Sequence, residues 1–140
     1  MISFNYELDF KLEDETAYLD WLSNVISSEI KDEGEINYIF CDDDYLLEIN
    51  QQYLDHDTLT DIISFDYSIG NELHGDIFIS IERVRENATD FNVAFEEELK
   101  RVVVHGVLHY CGYKDKNEED ETLMRQKEEE KMKMFHVKQN

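Results

Sequence analysis

Polar and apolar residues alternate strictly at the start of the chain: Ile2, Phe4, Tyr6, Leu8 and Phe10 interleave with Ser3, Asn5, Glu7, Asp9 and Lys11. A period of two puts one set on a single face, which predicts a strand with one buried side. The period then lengthens. Leu19, Leu22, Ile26 and Ile30 recur at helical spacing, predicting a helix over about residues 14–33 that stops at Gly34. Residues 36–41 predict a second strand, and Asp42, Asp43 or Asp44 can cap a helix whose apolar side is Leu46, Ile49 and Tyr53. Residues 55–59 are polar and turn-like. Two strands follow closely, 61–67 and 75–81, joined by a loop holding Gly70 and Asn71, as in a hairpin.

From there the pattern is helical. Residues 80–90 predict a short helix, Asn92 is placed to cap a longer one reaching about Cys111, and a last helix runs over about 118–135 with Met124, Met132 and Phe135 inward. The order β-α-β-α-β-β-α-α-α describes an α+β domain with about four strands in one sheet, covered by about five helices. Repeats, low-complexity linkers and composition breaks are absent, so residues 1–140 read as a single domain. The pattern leaves the strand order open.

Composition narrows the class. Of 140 residues, 41% are apolar, enough for a core without disulfide support. The formal net charge is -21, which argues against membrane adhesion and against loose coating of nucleic acid. The charge is unevenly placed: residues 1–113 carry 26 acids against 6 bases, and residues 114–140 carry 8 against 7. No apolar run approaches the ~20 residues of a membrane span, and the first ten residues lack the basic start and apolar stretch of a signal peptide. A cytoplasmic protein is expected, with Cys41 and Cys111 as reduced thiols.

The chemistry concentrates between Val104 and Asp115. His105 and His109 lie four apart on a predicted helix, so both rings leave one face and can share an ion. Gly112 stands where the helix must end, and a glycine there can take positive φ and return Asp115 toward the histidines. Two imidazoles and one carboxylate suit Zn²⁺ or another divalent ion and leave a coordination position open. Such an ion lowers the pKa of bound water from ~16 toward ~7 and polarises a phosphoryl or carbonyl oxygen. Gly106 costs the helix about 1 kcal/mol relative to Ala, which makes sense if a neighbour must pass close by. A lone histidine pair on a polar helix face would mean little; the added Gly112 and Asp115 favour a metal site.

The spacing His105, His109, Gly112, Asp115 is similar to the ligand pattern of metzincin peptidases, but those carry Glu after the first His, and Gly106 stands there. The segment His105-Gly106-Val107-Leu108-His109, followed by Gly112-Tyr113, instead resembles the YbeY endoribonuclease family of bacterial rRNA maturation factors. Thr60-Asp61-Ile62-Ile63-Ser64-Phe65 and Gly75-Asp76-Ile77-Phe78-Ile79-Ser80 resemble two strand motifs of that family, in the same order. The chain departs from it twice: Asp115 replaces the usual third histidine, and Leu54 replaces an arginine after Asn50-Gln51-Gln52-Tyr53.

The resemblance implies metal-dependent cleavage of single-stranded RNA in rRNA maturation and ribosome biogenesis, with metal-bound water or an activated 2′-hydroxyl attacking phosphorus. With Leu54 uncharged, the candidate substrate cations are Lys114, Lys116 and Arg101. Asp61 and Ser64 are candidates for orienting the ligands. His74 could face the cleft, whereas His56 and His136 read as surface residues. Because so acidic a chain should bind RNA weakly by itself, a ribosomal protein or assembly factor is the expected delivery partner. Two further readings stay open: a zinc hydrolase of another substrate, and an assembly factor with a structural metal.

Overall fold

The computed structural model describes residues 1–54 and 60–135. The predicted turn over 55–59, with His56, and the predicted surface residue His136 lie outside the described residues. Among the described residues nine elements follow the expected order: β1 (Ile2–Tyr6), α1 (Glu15–Ser28), β2 (Asp32–Cys41), α2 (Asp43–Leu54), β3 (Ile62–Asp66), β4 (Glu72–Ser80), α3 (Ile81–Phe91), α4 (Phe95–Tyr110) and α5 (Glu118–Met132). The class is α+β, with one four-stranded sheet ordered β1-β2-β4-β3. β1 and β2 are parallel, β2 and β4 are parallel, and β3 runs antiparallel to β4, as the hairpin reading required.

Side-chain alternation assigns the two faces. Ile36, Tyr38 and Phe40 of β2 and Ile77 and Ile79 of β4 belong to the main core, together with α1 and α4. Cys41 and Ile63 look the other way, onto Leu46 of α2. Ile62 packs against the main core, and Ser64, two residues on, shares its face. Helix α4 lies in that core: Val103, Val104, Val107 and Leu108 are fully buried, each contributing about 1.5–3 kcal/mol of burial. The Tyr38 hydroxyl donates to the Val103 carbonyl at 2.7 Å, fixing the helix against β2. A Cβ at Gly106 would meet Ile77 Cδ1 at 2.9 Å and Ile62 Cδ1 at 3.3 Å, so the glycine lets α4 approach these two side chains without displacing them.

Three predicted boundaries are corrected. The first helix ends at Ser28, and Gly34 lies within β2. Ile30 takes the left-handed conformation (φ 58°), with Ile30 N–H donating to Ser27 O and Lys31 N–H to Ile26 O. Ile30 is 83% exposed, so its helical spacing with Leu22 and Ile26 carried no packing. The first strand ends at Tyr6, after which Leu8 and Phe10 pack on the core from irregular backbone. Asn92 closes α3 in the left-handed conformation (φ 57°), whereas α4 starts after Ala94 without a side-chain cap. Asparagine serves both ends of helices, which is why its position alone misled. Glu96, Glu97 and Glu98 in the first turn of α4 complement its dipole instead.

Helix α5 is anchored by polar contacts. The Trp21 indole donates to the Lys131 carbonyl at 2.7 Å, and the buried Lys131 ammonium meets Ser28 Oγ and Glu29 Oε2, both at 2.9 Å. These bonds seat α5 against α1. They also bring Glu128, one turn earlier, to the α4 face.

Candidate metal centre

The buried side of α4 sets the direction of its histidines. Packing of Val103, Val104, Val107 and Leu108 on the sheet leaves His105 and His109 half-buried at the helix edge, their ring centroids 4.5 Å apart. Helix α4 then closes on Gly112, whose φ is 107°. Gly112 N–H donates to His109 O, and Tyr113 N–H donates to Leu108 O, the paired closure that a left-handed glycine permits. The chain reverses there, and Asp115 comes back over the helix end. The predicted role of Gly112 is what the backbone shows.

Asp115 Oδ2 stands 3.5 Å from Nε2 of His105 and 3.5 Å from Nε2 of His109. One ligand atom from each of the three residues lies within 4.8 Å of the others. The 3.5 Å separations are long for hydrogen bonds, yet close to the roughly 3.3 Å between two ligands on one tetrahedral Zn²⁺ with ~2.0–2.1 Å bonds. The donor set therefore fits a divalent ion. Both outer nitrogens are already engaged. His109 Nδ1 donates to the Tyr113 carbonyl at 3.0 Å; since a carbonyl only accepts, Nε2 keeps its lone pair for the site. His105 Nδ1 bonds Glu128 Oε2 at 2.6 Å, the carboxylate–imidazole pairing that orients a metal ligand.

Electrostatics separates the two rings. Burial pulls His105 down, but the Glu128 hydrogen bond and the charges of Glu128, Asp115 and Asp61 outweigh it and leave the ring above its usual value. His109 stays below, through burial and the neighbouring His105.

The site opens into two adjoining clefts. One lies toward β3 and α3 and includes Asp61, Ser64 and Asn87; the other lies along α5; and both include His105, Asp115, Arg125 and Glu128. Asp61 and Ser64 thus line the cleft, but among the described residues neither hydrogen-bonds a ligand side chain; the orienting contacts expected of them are made by Glu128 and the Tyr113 carbonyl. Burial raises the Asp61 carboxyl against the lowering effect of His105, and Asn87 Nδ2 reaches Asp61 Oδ2 at 3.5 Å. Arg101 lines the cleft too, but its guanidinium is taken: Nη1 lies 3.3 Å from Glu128 and Nε 3.7 Å from Glu98. Lys114 and Lys116 are exposed on the loop and line neither cleft. His74 is elsewhere, bonded to Glu72 at 2.6 Å and accepting from Glu35 N–H at 3.0 Å. Cys111 is half-buried against the core, its thiol pushed up by burial to about 11.

Sequence reasoning missed Glu128, Arg125, Asn87 and Phe91. Glu128 had a signal: it lies four residues after Met124 on the inward stripe of α5, where a carboxylate needs a partner.

A family model described as Endoribonuclease YbeY matches residues 4–136. The chain belongs to the YbeY family. A relative from Flavobacterium psychrophilum, named Endoribonuclease YbeY, is 76% identical over 140 residues, covering all of both chains. One of the same name from Flavobacterium johnsoniae is 70% identical over 139 residues, 99% of this chain and 100% of the relative. The fold is similar to a solution structure of a Thermotoga maritima protein, with a TM-score of 0.68 and 28% identity, covering 96% of this chain and 89% of that one. Membership in the YbeY family agrees with the motifs around His105, Asp61 and Gly75, and with the α+β architecture that joins them. No helix among the described residues is long and apolar enough to cross a membrane.

Proposed function

We propose that this protein is a metal-dependent endoribonuclease acting on single-stranded RNA in rRNA maturation, with one Zn²⁺ held by His105, His109 and Asp115. The observation that carries the reading is the convergence of those three side chains within 4.8 Å, beside an open cleft, in a chain whose close relatives are named endoribonucleases. The bound ion would supply Lewis acidity, lowering the pKa of a hydroxyl nucleophile and offsetting charge on the phosphoryl oxygens.

The chain's own residues prepare that chemistry. Glu128 holds the His105 ring in the orientation that presents Nε2, and the Tyr113 carbonyl does the same for His109. Asp115 brings one negative charge to the set, leaving an anionic substrate less repelled than three carboxylates would. Asp61, with its carboxyl raised by burial and aimed into the cleft, can accept a hydrogen bond from a water or ribose hydroxyl beside phosphorus. Ser64 offers a second polar contact on the same wall.

The acidic surface supports delivery by a basic partner in the cytoplasm, a ribosomal protein or an assembly factor, because few bases are left to hold RNA alone. The test is cleavage of a structured rRNA fragment with and without chelator, together with elemental analysis and the variant His109→Ala. One metal ion per chain, cleavage abolished by chelator, and a His109→Ala protein that is inactive but melts near the wild type are expected. A stable metal with no cleavage, and a melting temperature that collapses in His109→Ala, would instead indicate a structural ion.

A further inference from the structure

Both clefts meet at the metal centre, so a strand occupying them would cross the three ligands. Six carboxylates line these clefts among the described residues, against two arginines. An anionic strand therefore depends heavily on whichever arginine is unengaged. Arg101 is clamped between Glu98 and Glu128. Arg125 is exposed, lines both clefts, and has no ion pair among the described residues, although its charge reaches Glu98. On the opposite wall Phe91, 58% exposed at the end of α3, borders the cleft beside Asn87. An exposed aromatic ring within a ligand cleft offers a stacking face that any base can use.

Resting on the nuclease reading, we infer that Arg125 and Phe91 form the substrate track: Arg125 grips a backbone phosphate next to the metal centre, and Phe91 stacks a neighbouring base. The charge comes from α5 and the stacking surface from α3, on either side of the ligands on α4 and its closing loop. The track is short. With one unengaged arginine, about one phosphate is neutralised by a side chain, so the salt dependence of binding should be shallow, a log–log slope of about −0.7. The footprint is single-stranded, since a base must leave its stack to lie on Phe91.

The test measures binding of a short 2′-O-methyl RNA strand to zinc-loaded protein by fluorescence anisotropy, with strand integrity checked on a gel. Ordinary RNA cleavage is assayed beside it. Arg125→Gln is expected to bring the salt slope close to zero, and Arg125→Lys to keep it. Phe91→Ala is expected to weaken binding about 5- to 150-fold at unchanged slope, with Phe91→Trp restoring it. Slope and affinity unchanged in Arg125→Gln and Phe91→Ala would overturn the track, as would a wild type that binds no strand even at about 20 mM salt. If the wild type cleaves while the variants match it, the track is wrong and the nuclease reading stands. If the wild type binds with the expected slopes but never cleaves, the track holds and the nuclease reading is wrong.

Discussion

Replacing Glu128 by Gln isolates what the buried carboxylate does for the metal centre. Glu128 is 5% exposed; one oxygen lies 2.6 Å from His105 Nδ1 and the other 3.3 Å from Arg101 Nη1. Glutamine keeps the volume and can still accept from the imidazole N–H, but loses the charge that makes the ring a stronger donor to an ion. Removing such a partner typically costs 10- to 100-fold in metal affinity, about 1.4–2.7 kcal/mol. Because the amide retains an acceptor, Glu128→Gln belongs at the tenfold end. Glu128→Ala belongs at the upper end, since it also strands Arg101 with Glu98 as its remaining partner. The assay is competition for Zn²⁺ against a chelating dye at neutral pH, with urea midpoints of the metal-free proteins measured in parallel. A folded Glu128→Gln protein whose zinc affinity stays within about twofold of wild type would refute the orienting role.

Three further outcomes test other parts of the fold. Ile30→Gly removes an exposed β-branched side chain from a left-handed position, so it should stabilise by up to about 1 kcal/mol, read as a melting temperature higher by about 3 °C. Gly75→Ala should destabilise by about 1–3 kcal/mol in urea unfolding, because the added methyl would overlap the Tyr110 hydroxyl and the Phe65 carbonyl that this hydroxyl bonds at 2.8 Å. Glu29 should support stability near neutral pH and lose that contribution in acid. Burial raises its carboxyl, but the Tyr113 hydroxyl and Lys131 ammonium outweigh that and hold it below the usual value of 4.5. A depressed folded pKa contributes stability above the unfolded value and loses it as pH falls through the folded one. Glu29→Gln should therefore be less stable than wild type near neutral pH, and the two should converge as the pH falls below 4.5 and through the folded value, as urea midpoints across that range would show.

The candidate ligand set His105, His109 and Asp115 was legible as a cluster because local rules bring its members together. An i, i+4 pair on a helix and a glycine that must turn the chain need no knowledge of the rest of the fold, and Asp115 followed from the turn. The strands and helices were legible for the same reason, as periodicities in the sequence. Glu128 and Arg125 were obscured because they reach the site through α5, whose approach depends on Trp21 and Lys131 contacts over 100 residues apart in sequence. Arg101 illustrates the converse: its charge was visible, but Glu98 and Glu128 engage it. The boundaries at Ile30 and Asn92 slipped because left-handed residues other than glycine leave a weak mark in sequence.

X-ray absorption at the zinc edge of the loaded protein reaches the central claim most directly. Two imidazole nitrogens and one carboxylate oxygen at about 2.0–2.1 Å, with the remaining position filled by a light atom from solvent, are the expected shell. A sulfur neighbour at about 2.3 Å, or a spectrum without imidazole scattering, would contradict a centre built from His105, His109 and Asp115.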